Sequence, residues 1–232
     1  MTDHARGQRL SGFKIASREA ILALEAYEEI LLTWQKRINL VGDSTLSDLW
    51  QRHFIDSYQL VSIIDDLNRN KLLHVKQNTL KEKNASREAI MIADLGSGAG
   101  FPGLVLAIAG FHVHLIESDQ RKCAFLREAA RLTLEQIALR EAIRPTIHNQ
   151  RIENTVLKAD LITSRAFADL AKTLEVSEGL CHEDTRYLLL KPLDIEKELT
   201  EATKYWYFKH QILPSATDSR GCILHLSQIS KK

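Results

Sequence analysis

Residues 90–103 constrain the fold of this chain more than any other stretch. A short, β-prone apolar run over residues 90–93 leads into Asp94 and then into a loop with glycine at positions 96, 98, 100 and 103. Such a run predicts a buried strand, and the glycines allow a tight turn and the close approach of a ligand. Pro102 suits the first turn of a following helix, where its missing N–H is not needed. The pattern predicts a strand, a ligand-binding loop and a helix in succession.

The acidic residues beside this loop distinguish between two classes of nucleotide cofactor. Residues 98–103 match the G-x-G-x-x-G pattern of dinucleotide sites, in which a helix N-terminus binds a pyrophosphate. The Asp94 carboxylate would repel a pyrophosphate, whereas S-adenosylmethionine has no phosphate and carries a sulfonium and an ammonium. Glu117 ends the next predicted strand, roughly twenty residues on, where an acid reaches ribose hydroxyls. We therefore expect S-adenosylmethionine, with a dinucleotide site or an empty structural turn as the alternatives.

Length and composition are those of a globular protein with one large domain, or one domain with an appendage. The chain has 232 residues, of which 44% are hydrophobic and 26% charged. It shows no signal-peptide core and no apolar run long enough to span a bilayer, so we expect a cytoplasmic protein without a membrane partner. The three cysteines are far apart and the nine histidines lack metal-ligand spacing, so we expect neither a disulfide framework nor a metal. His112 and His114 alternate with apolar residues and are expected on one strand face.

The net charge of +1 provides no overall field that would attract nucleic acid. Any RNA binding must then come from local basic clusters. The sequence contains three such clusters: Lys36, Arg37 and Arg52; Arg121, Lys122, Arg127 and Arg131; and Lys204, Lys209 and Arg220.

The order of periodic segments predicts an α/β fold in three parts: an N-terminal helical unit over residues 1–65, a polar linker over 66–89, and a sheet domain over 90–232. One helix begins at Ser17 as N-cap, with an apolar face that includes Tyr27, and a second runs from about Ser44 to Ile64. Strands are predicted near 90–95, 113–117, 144–149, 160–164, 186–191, 204–212 and 222–229, and a helix over about 120–139. The last two strands form an antiparallel hairpin, and the sheet is otherwise parallel, with ligands at the carboxyl ends of its strands.

Four short blocks of sequence resemble the RsmG (GidB) family of bacterial small-subunit ribosomal RNA methyltransferases. They are Asn39-Leu40 with residues 52–57, residues 94–103, residues 151–153, and residues 163–167. The resemblance spans roughly residues 20–230. It implies a Rossmann-like class I S-adenosylmethionine-dependent methyltransferase with a mostly parallel seven-stranded sheet and a small N-terminal helical extension. It also implies methyl transfer to N7 of a guanine, the position-527 type, in 16S ribosomal RNA. The expected partner is this RNA or the 30S particle, and the expected oligomeric state is a monomer.

The resemblance also implies roles for individual residues. Gly96 and Phe101 would contact the methionine and adenosine parts of the cofactor, Ile152 and Glu153 would flank the adenine, and Arg165 would lie beside both cofactor and target base. The full cofactor set, with the loop and its acids, is Asp94, Gly96, Gly98, Gly100, Phe101, Glu117, Ile152, Glu153 and Arg165, with Arg165 also as the catalytic residue. The RNA-binding set is Asn39, His53, Arg151 and Arg220. The chain departs from the family in having Glu117 for the usual Asp and Lys191-Pro192 for the usual Lys-Gly.

The chemistry of the target limits what catalysis requires. Guanine N7 has a free lone pair, so methyl transfer needs no general base and depends on positioning and electrostatics. Arg165 could hold the base through O6 or by stacking, or could form a structural ion pair at a strand end. His53 and Asn39 could equally serve the fold, as a hydrogen-bonded histidine and a helix cap, and Phe167 and Trp50 are expected in the core. The alternative functions are a methyltransferase with another substrate and an NAD(P)-binding reductase or sensor.

Overall fold

A seven-stranded sheet forms the centre of the structure. The computed structural model describes residues 17–75, 90–136 and 144–232. The strands have these bounds: β1 Met91–Leu95, β2 His112–Glu117, β3 Thr146–Asn149, β4 Leu161–Arg165, β5 Arg186–Pro192, β6 Trp206–Pro214 and β7 Gly221–Lys231. Their order across the sheet is β3-β2-β1-β4-β5-β7-β6. β1 to β5 run parallel, and β7 pairs antiparallel with both β5 and β6. The predicted mostly parallel sheet with a closing hairpin is confirmed.

Helices cover both faces of this sheet. Their bounds are α1 Arg18–Gln35, α2 Leu60–Val75, α3 Gly103–Ile108, α4 Gln120–Gln136, α5 Leu170–Ser177 and α6 Glu196–Ala202. The predicted N-cap of α1 is confirmed, because Ser17 Oγ accepts a hydrogen bond from the Ala20 amide at 3.2 Å. The predicted end of α4 near residue 139 and residues 1–16 of the predicted N-terminal unit lie outside the described residues.

The segment between α1 and α2 differs from its prediction. Instead of one regular helix from about Ser44 to Ile64, the chain forms a 3-10 helix, Asp43–Asp48, a π-helical segment, Trp50–Ile55, and one α-turn, Asp56–Tyr58, before α2. The apolar spacing of this segment is also compatible with a regular α-helix. Packing against the rest of the protein, which can override local helix propensity, determines the backbone conformation instead. α2 continues to Val75, into the region predicted as linker, and residues 76–89 of that linker lie outside the described part.

Two clusters of buried residues occupy the two faces of the sheet. The first joins Tyr27 and Phe54 from the N-terminal segments to Leu104 and Phe125 of α3 and α4. The second lies under α5 and α6 and includes Tyr187 of β5. The N-terminal helices therefore share a core with the sheet, so burial of this apolar face stabilises both parts together.

Gly103, the first residue of α3, sets how closely this helix approaches the sheet. A Cβ atom at this position would lie 2.3 Å from Leu115 Cδ2 and 2.6 Å from Asp94 Oδ2. The last glycine of the loop thus allows close packing between helix and strand, as in other nucleotide-binding loops.

The Gly103→Ala variant is expected to be less stable by about 1–3 kcal/mol, because the added methyl group forces β1, β2 and α3 apart. Gly179→Ala is the matched control, since a Cβ atom there meets nothing within 4 Å. Urea unfolding of the two variants and the wild type measures the difference. Equal midpoints for both variants would show that α3 does not need the glycine.

Candidate active site

The glycine loop between β1 and α3 is held by the carboxylate of Glu117 at the end of β2. Glu117 Oε2 accepts a hydrogen bond from the Gly98 amide at 2.9 Å, and Oε1 accepts one from the Asp119 amide at 2.8 Å. The Ser97 amide also donates to the Ile116 carbonyl of β2 at 3.1 Å. These bonds place an acid beside the loop at the carboxyl end of the sheet, where the sequence predicted one.

Asp94 is fully buried behind the loop. Its Oδ1 accepts a hydrogen bond from Thr163 Oγ1 of β4 at 2.9 Å. Its Oδ2 lies beside the backbone of Gly103. Burial raises the pKa of Asp94 to about 7, and the hydrogen bond from Thr163 opposes this rise. The site thus holds a fully buried carboxyl group, and a cationic ligand nearby would favour its ionised form.

Tyr27 of α1 supports the loop from the other side. Its hydroxyl donates a short hydrogen bond to the Ala99 carbonyl, and its ring stacks on Phe101 with centroids 5.3 Å apart. Gly100 has a φ of +89°, and a Cβ atom there would lie 2.5 Å from the Tyr27 hydroxyl oxygen. Sequence analysis placed Tyr27 only on an apolar face and gave no sign of this contact.

Arg165, at the end of β4, is held in place by the N-terminal segment. One terminal nitrogen, Nη1, donates to the Arg52 carbonyl at 2.6 Å and lies 3.5 Å from Asp56 Oδ2. The other, Nη2, donates to His53 Nδ1 at 2.5 Å. The guanidinium carbon also lies 5.8 Å from the centre of the Phe101 ring. The predicted ion pair at a strand end is therefore present, and Arg165 lies next to the glycine loop, while its role towards a base stays a prediction.

His53 is buried, and both of its ring nitrogens are hydrogen-bonded. Because a guanidinium only donates, Nδ1 is the acceptor and Nε2 carries the hydrogen, which it donates to Thr45 Oγ1 at 2.8 Å. Burial, and then the charges of Arg165 and Arg52, lower the pKa of His53 to about 3. His53 is therefore a neutral histidine that orients Arg165.

A cavity of about 810 Å³ opens at the carboxyl ends of β4 and β5. Its lining includes Arg165 and Phe167 after β4, Lys191 of β5, Glu198 of α6 and residues of the loop between β6 and β7. Asp56 holds that loop, because its Oδ1 accepts from Thr217 Oγ1 at 2.6 Å. Sequence analysis did not single out Asp56 or Glu198 individually, and charged residues in such segments give no sequence signal for this role.

The other predicted RNA-binding residues lie at or near the surface. Arg220 is exposed on the rim of the cavity, where Nε lies 3.3 Å from Asp218 Oδ1. Arg151 is exposed just before the 3-10 turn Ile152–Asn154. Asn39 is exposed after α1, and its Oδ1 lies 3.5 Å from Gln35 Nε2. The structure brings Arg220 to the rim of the cavity and His53 against Arg165, whereas Asn39 contacts Gln35 at the end of α1.

The remaining predicted residues fall into buried and exposed groups. Ile152 is buried and Glu153 is exposed, on the turn that follows β3. Trp50 is buried and stacks on Phe54 with centroids 4.7 Å apart, so its expected core position is confirmed. Phe167 is half-buried: its ring packs against Gly96 of the glycine loop and also lines the cavity.

The described ranges contain no group of three or more His, Cys, Asp or Glu side chains arranged to hold a metal ion. None of the helices in these ranges is long and apolar enough to cross a membrane. His112 and His114 do share one strand face, with ring centroids 5.0 Å apart, as predicted.

Comparison with known sequences gives a match over nearly the whole chain. The family described as "rRNA small subunit methyltransferase G" matches residues 20–75 and 74–221. A Ribosomal RNA small subunit methyltransferase G of Paramagnetospirillum magneticum is 42% identical over 217 residues, covering 93% of this chain and 92% of that protein. The protein of the same name from Rickettsia felis is 37% identical, covering 92% of this chain and 96% of its own length.

Comparison with solved structures gives the fold. A magnesium protoporphyrin IX methyltransferase from Synechocystis PCC 6803 with bound S-adenosylmethionine superposes with a TM-score of 0.52 at 14% identity, covering 92% of this chain and 98% of that one. A mutant of MtNAS in complex with S-adenosylmethionine gives a TM-score of 0.52 at 14% identity, covering 89% and 72%. The predicted Rossmann-like class I fold is confirmed.

Replacing Asp94 by Asn is expected to remove a pH-dependent loss of stability in the cofactor-free protein. Because burial raises the pKa of Asp94 from 3.8 to about 7, the folded protein keeps this proton at pH values where the unfolded chain has lost it. Wild-type stability should therefore fall as pH rises between about 4 and 7, by at most on the order of 4 kcal/mol from this group. The stability of D94N relative to wild type should rise over the same interval.

Urea unfolding at pH values from about 4 to 8 measures this difference, with Asp184→Asn, at an exposed position, as the matched control. A difference between D94N and wild type that stays constant with pH would contradict a raised pKa for Asp94.

Proposed function

Since the chain belongs to the rRNA small subunit methyltransferase G family, we propose that it transfers a methyl group from S-adenosylmethionine to N7 of a guanine in small-subunit ribosomal RNA. The main support for this proposal is family membership. The family match covers the glycine loop and the segments that line the cavity beside Arg165. The same membership removes the nicotinamide reductase alternative. A ribosomal substrate also supports a site of action in the cytoplasm.

The residues around the glycine loop suit S-adenosylmethionine. Glu117 stands at the end of β2, where its carboxylate can accept from ribose hydroxyls, and Ile152 offers an apolar side chain for the adenine. The negative charge that Asp94 carries when ionised, behind the loop, suits a ligand that carries positive charge. The cofactor supplies the methyl group on a sulfonium, which makes it a good leaving group.

The cavity next to Arg165 suits the target base. We propose that the guanine enters there, with N7 towards the glycine loop and Arg165 fixing the ring through O6 or by stacking. N7 attacks with its own lone pair, and no proton must leave before the methyl group is transferred. The state of His53 supports this mechanism, since a histidine with a pKa of about 3 and two occupied nitrogens is not available as a general base.

Exposed arginines around the cavity suit the RNA backbone. Arg220 and Arg52 both approach Asp218 on the rim, with Arg52 Nη1 4.0 Å from Asp218 Oδ2. Exposed pairs of this kind contribute little to stability, so either guanidinium can turn to a phosphate at small cost. We propose that Arg220 and Arg151 bind phosphates on either side of the target nucleotide.

Small-subunit particles that lack the modification, incubated with the protein and methyl-labelled S-adenosylmethionine, test the proposal. We expect label on a single guanine of the RNA, detected by chain cleavage specific for N7-methylguanine. In the Arg165→Ala variant we expect turnover to fall by about 100-fold or more, because the base loses its positioning group. Label found only on protein or on small molecules would refute the proposal.

The matched control is Lys231→Ala, which removes an exposed basic residue from the end of β7 away from the cavity, where its partner is Glu178. It should methylate at the wild-type rate. The thermal midpoint of the Arg165 variant must be measured alongside, because collapse of its fold would favour a purely structural ion pair.

The Arg220→Gln variant is expected to weaken RNA binding and to reduce its dependence on salt. Loss of one phosphate contact should lower the slope of log K against log salt by about 0.7–0.9. Binding titrations at several salt concentrations, with Lys231→Gln as the control, measure the slope. An unchanged slope would mean that Arg220 makes no phosphate contact.

A further inference from the structure

The cavity beside Arg165 contains a carboxylate for which the proposed mechanism has no use. We propose that Glu198 reads the Watson–Crick edge of the target base and makes the cavity specific for guanine. This inference rests on the proposed function, because it concerns the base that the same cavity accepts.

Glu198 differs from the other carboxylates that line the cavity. Asp56 uses one oxygen for Thr217 and the other for Arg165, and Asp218 uses both of its oxygens for Arg220. Asp48 is exposed on the rim. Glu198 is only 28% exposed, and its Oε1 has no recorded hydrogen-bond partner within the part of the chain that the structure describes. Glu198 thus presents an acceptor that is free and partly withdrawn from water.

Lys191 fixes this carboxylate in the cavity wall. Its side chain is 8% exposed, and Nζ donates to Glu198 Oε2 at 2.6 Å and to the Ala168 carbonyl at 2.5 Å. The ammonium compensates the charge of Glu198 and joins α6 to the segment that follows β4. A buried ion pair of this kind contributes little net stability. We therefore assign the ion pair a role in positioning the Glu198 carboxylate in the cavity.

The chemistry of guanine matches what Glu198 presents. On its Watson–Crick edge, guanine carries two adjacent donors, N1–H and the N2 amino group. These suit a carboxylate whose Oε1 is free and whose Oε2, bonded once to Lys191, has a second lone pair to accept with. Adenine carries an acceptor at N1, which the carboxylate would repel. A base that donates to Glu198 through this edge has N7 on its opposite side.

The order of the strands is consistent with N7 of this base facing the glycine loop. The sheet runs β1-β4-β5-β7-β6, so Lys191 of β5, with Glu198 bonded to it, lies one strand farther from the glycine loop than Arg165 of β4. Arg165 and Phe167 follow β4, and the Phe167 ring packs against Gly96. With its Watson–Crick edge on Glu198, the base would direct N7 towards β4 and the glycine loop. One residue would then select guanine and also set the orientation that exposes N7.

Small-subunit RNA in which only the target guanosine is replaced by inosine tests the proposal. Inosine keeps N7, O6 and N1–H but lacks the N2 amino group, so it loses one donor to Glu198. We expect the wild type to prefer guanosine by about tenfold or more in kcat/KM. With inosine the Glu198 carboxylate lacks the hydrogen bond from the N2 amino group, and losing a hydrogen bond to a charged group weakens transition-state binding. In Glu198→Gln, which presents a single acceptor, we expect a lower rate on guanosine and a preference near one.

Three variants separate base reading from a structural role. Lys191→Met breaks the same ion pair but keeps the carboxylate, so it should slow both substrates and retain the preference. Glu198→Asp should keep part of the preference. Glu201→Gln, on the same helix but paired with Lys204, should behave as wild type.

The outcomes distinguish this inference from the proposed function. If the wild type methylates guanosine but Glu198→Gln loses rate equally on both substrates, Glu198 is structural and the inference is overturned. A wild type that treats the two RNAs alike overturns it as well. If the wild type methylates no guanosine of small-subunit RNA, the proposed function itself fails.

Discussion

The close packing of the glycine loop against three different elements is the constraint on which the rest of this structure depends. α1 reaches the Ala99 carbonyl through Tyr27, β2 reaches the Gly98 amide through Glu117, and Asp94 bonds to Thr163 of β4 behind the loop. Glycines make this possible, because a side chain at position 100 or 103 would overlap its neighbours. The loop is therefore shaped before any ligand binds. The accompanying cost is a fully buried carboxyl group at Asp94, which a cationic ligand would offset.

A second junction, at Asp56, connects the loop region to the cavity. This single carboxylate contacts Arg165 at the end of β4 and Thr217 in the loop between β6 and β7. Three segments distant in sequence thus meet at one side chain of the N-terminal region. The irregular backbone of residues 43–58 fits this arrangement, since π-helical turns are frequent at functional sites. The N-terminal segments form a wall of the site in addition to covering the sheet.

The sequence predicts the parts of this protein that follow from local chemistry. The glycine spacing, the alternation of strands and helices, the final hairpin and the Ser17 cap all have signals within a few residues. The helix breaks in residues 43–58 have no such signal, because the same apolar spacing suits one continuous helix. Tyr27 looked like a core residue because its hydrogen-bond acceptor, Ala99, lies 72 residues away. Glu198 has the sequence character of any exposed helical acid, and only the tertiary structure brings it to the cavity.

The pairing of charges in the cavity resolves a difficulty in the proposed reaction. The guanine ring becomes positively charged as N7 accepts the methyl group, and an uncompensated cation beside it would oppose that change. Both cations that flank the proposed base are compensated: Arg165 lies 3.5 Å from Asp56, and Lys191 lies 2.6 Å from Glu198. Arg165 can therefore hold the ring without raising the barrier by its full charge. The Glu198 carboxylate would interact more strongly with N1–H and the N2 amino group as the ring becomes cationic. An electrostatic interaction that strengthens along the reaction lowers its barrier, so the same residue would favour both the correct base and its methylation.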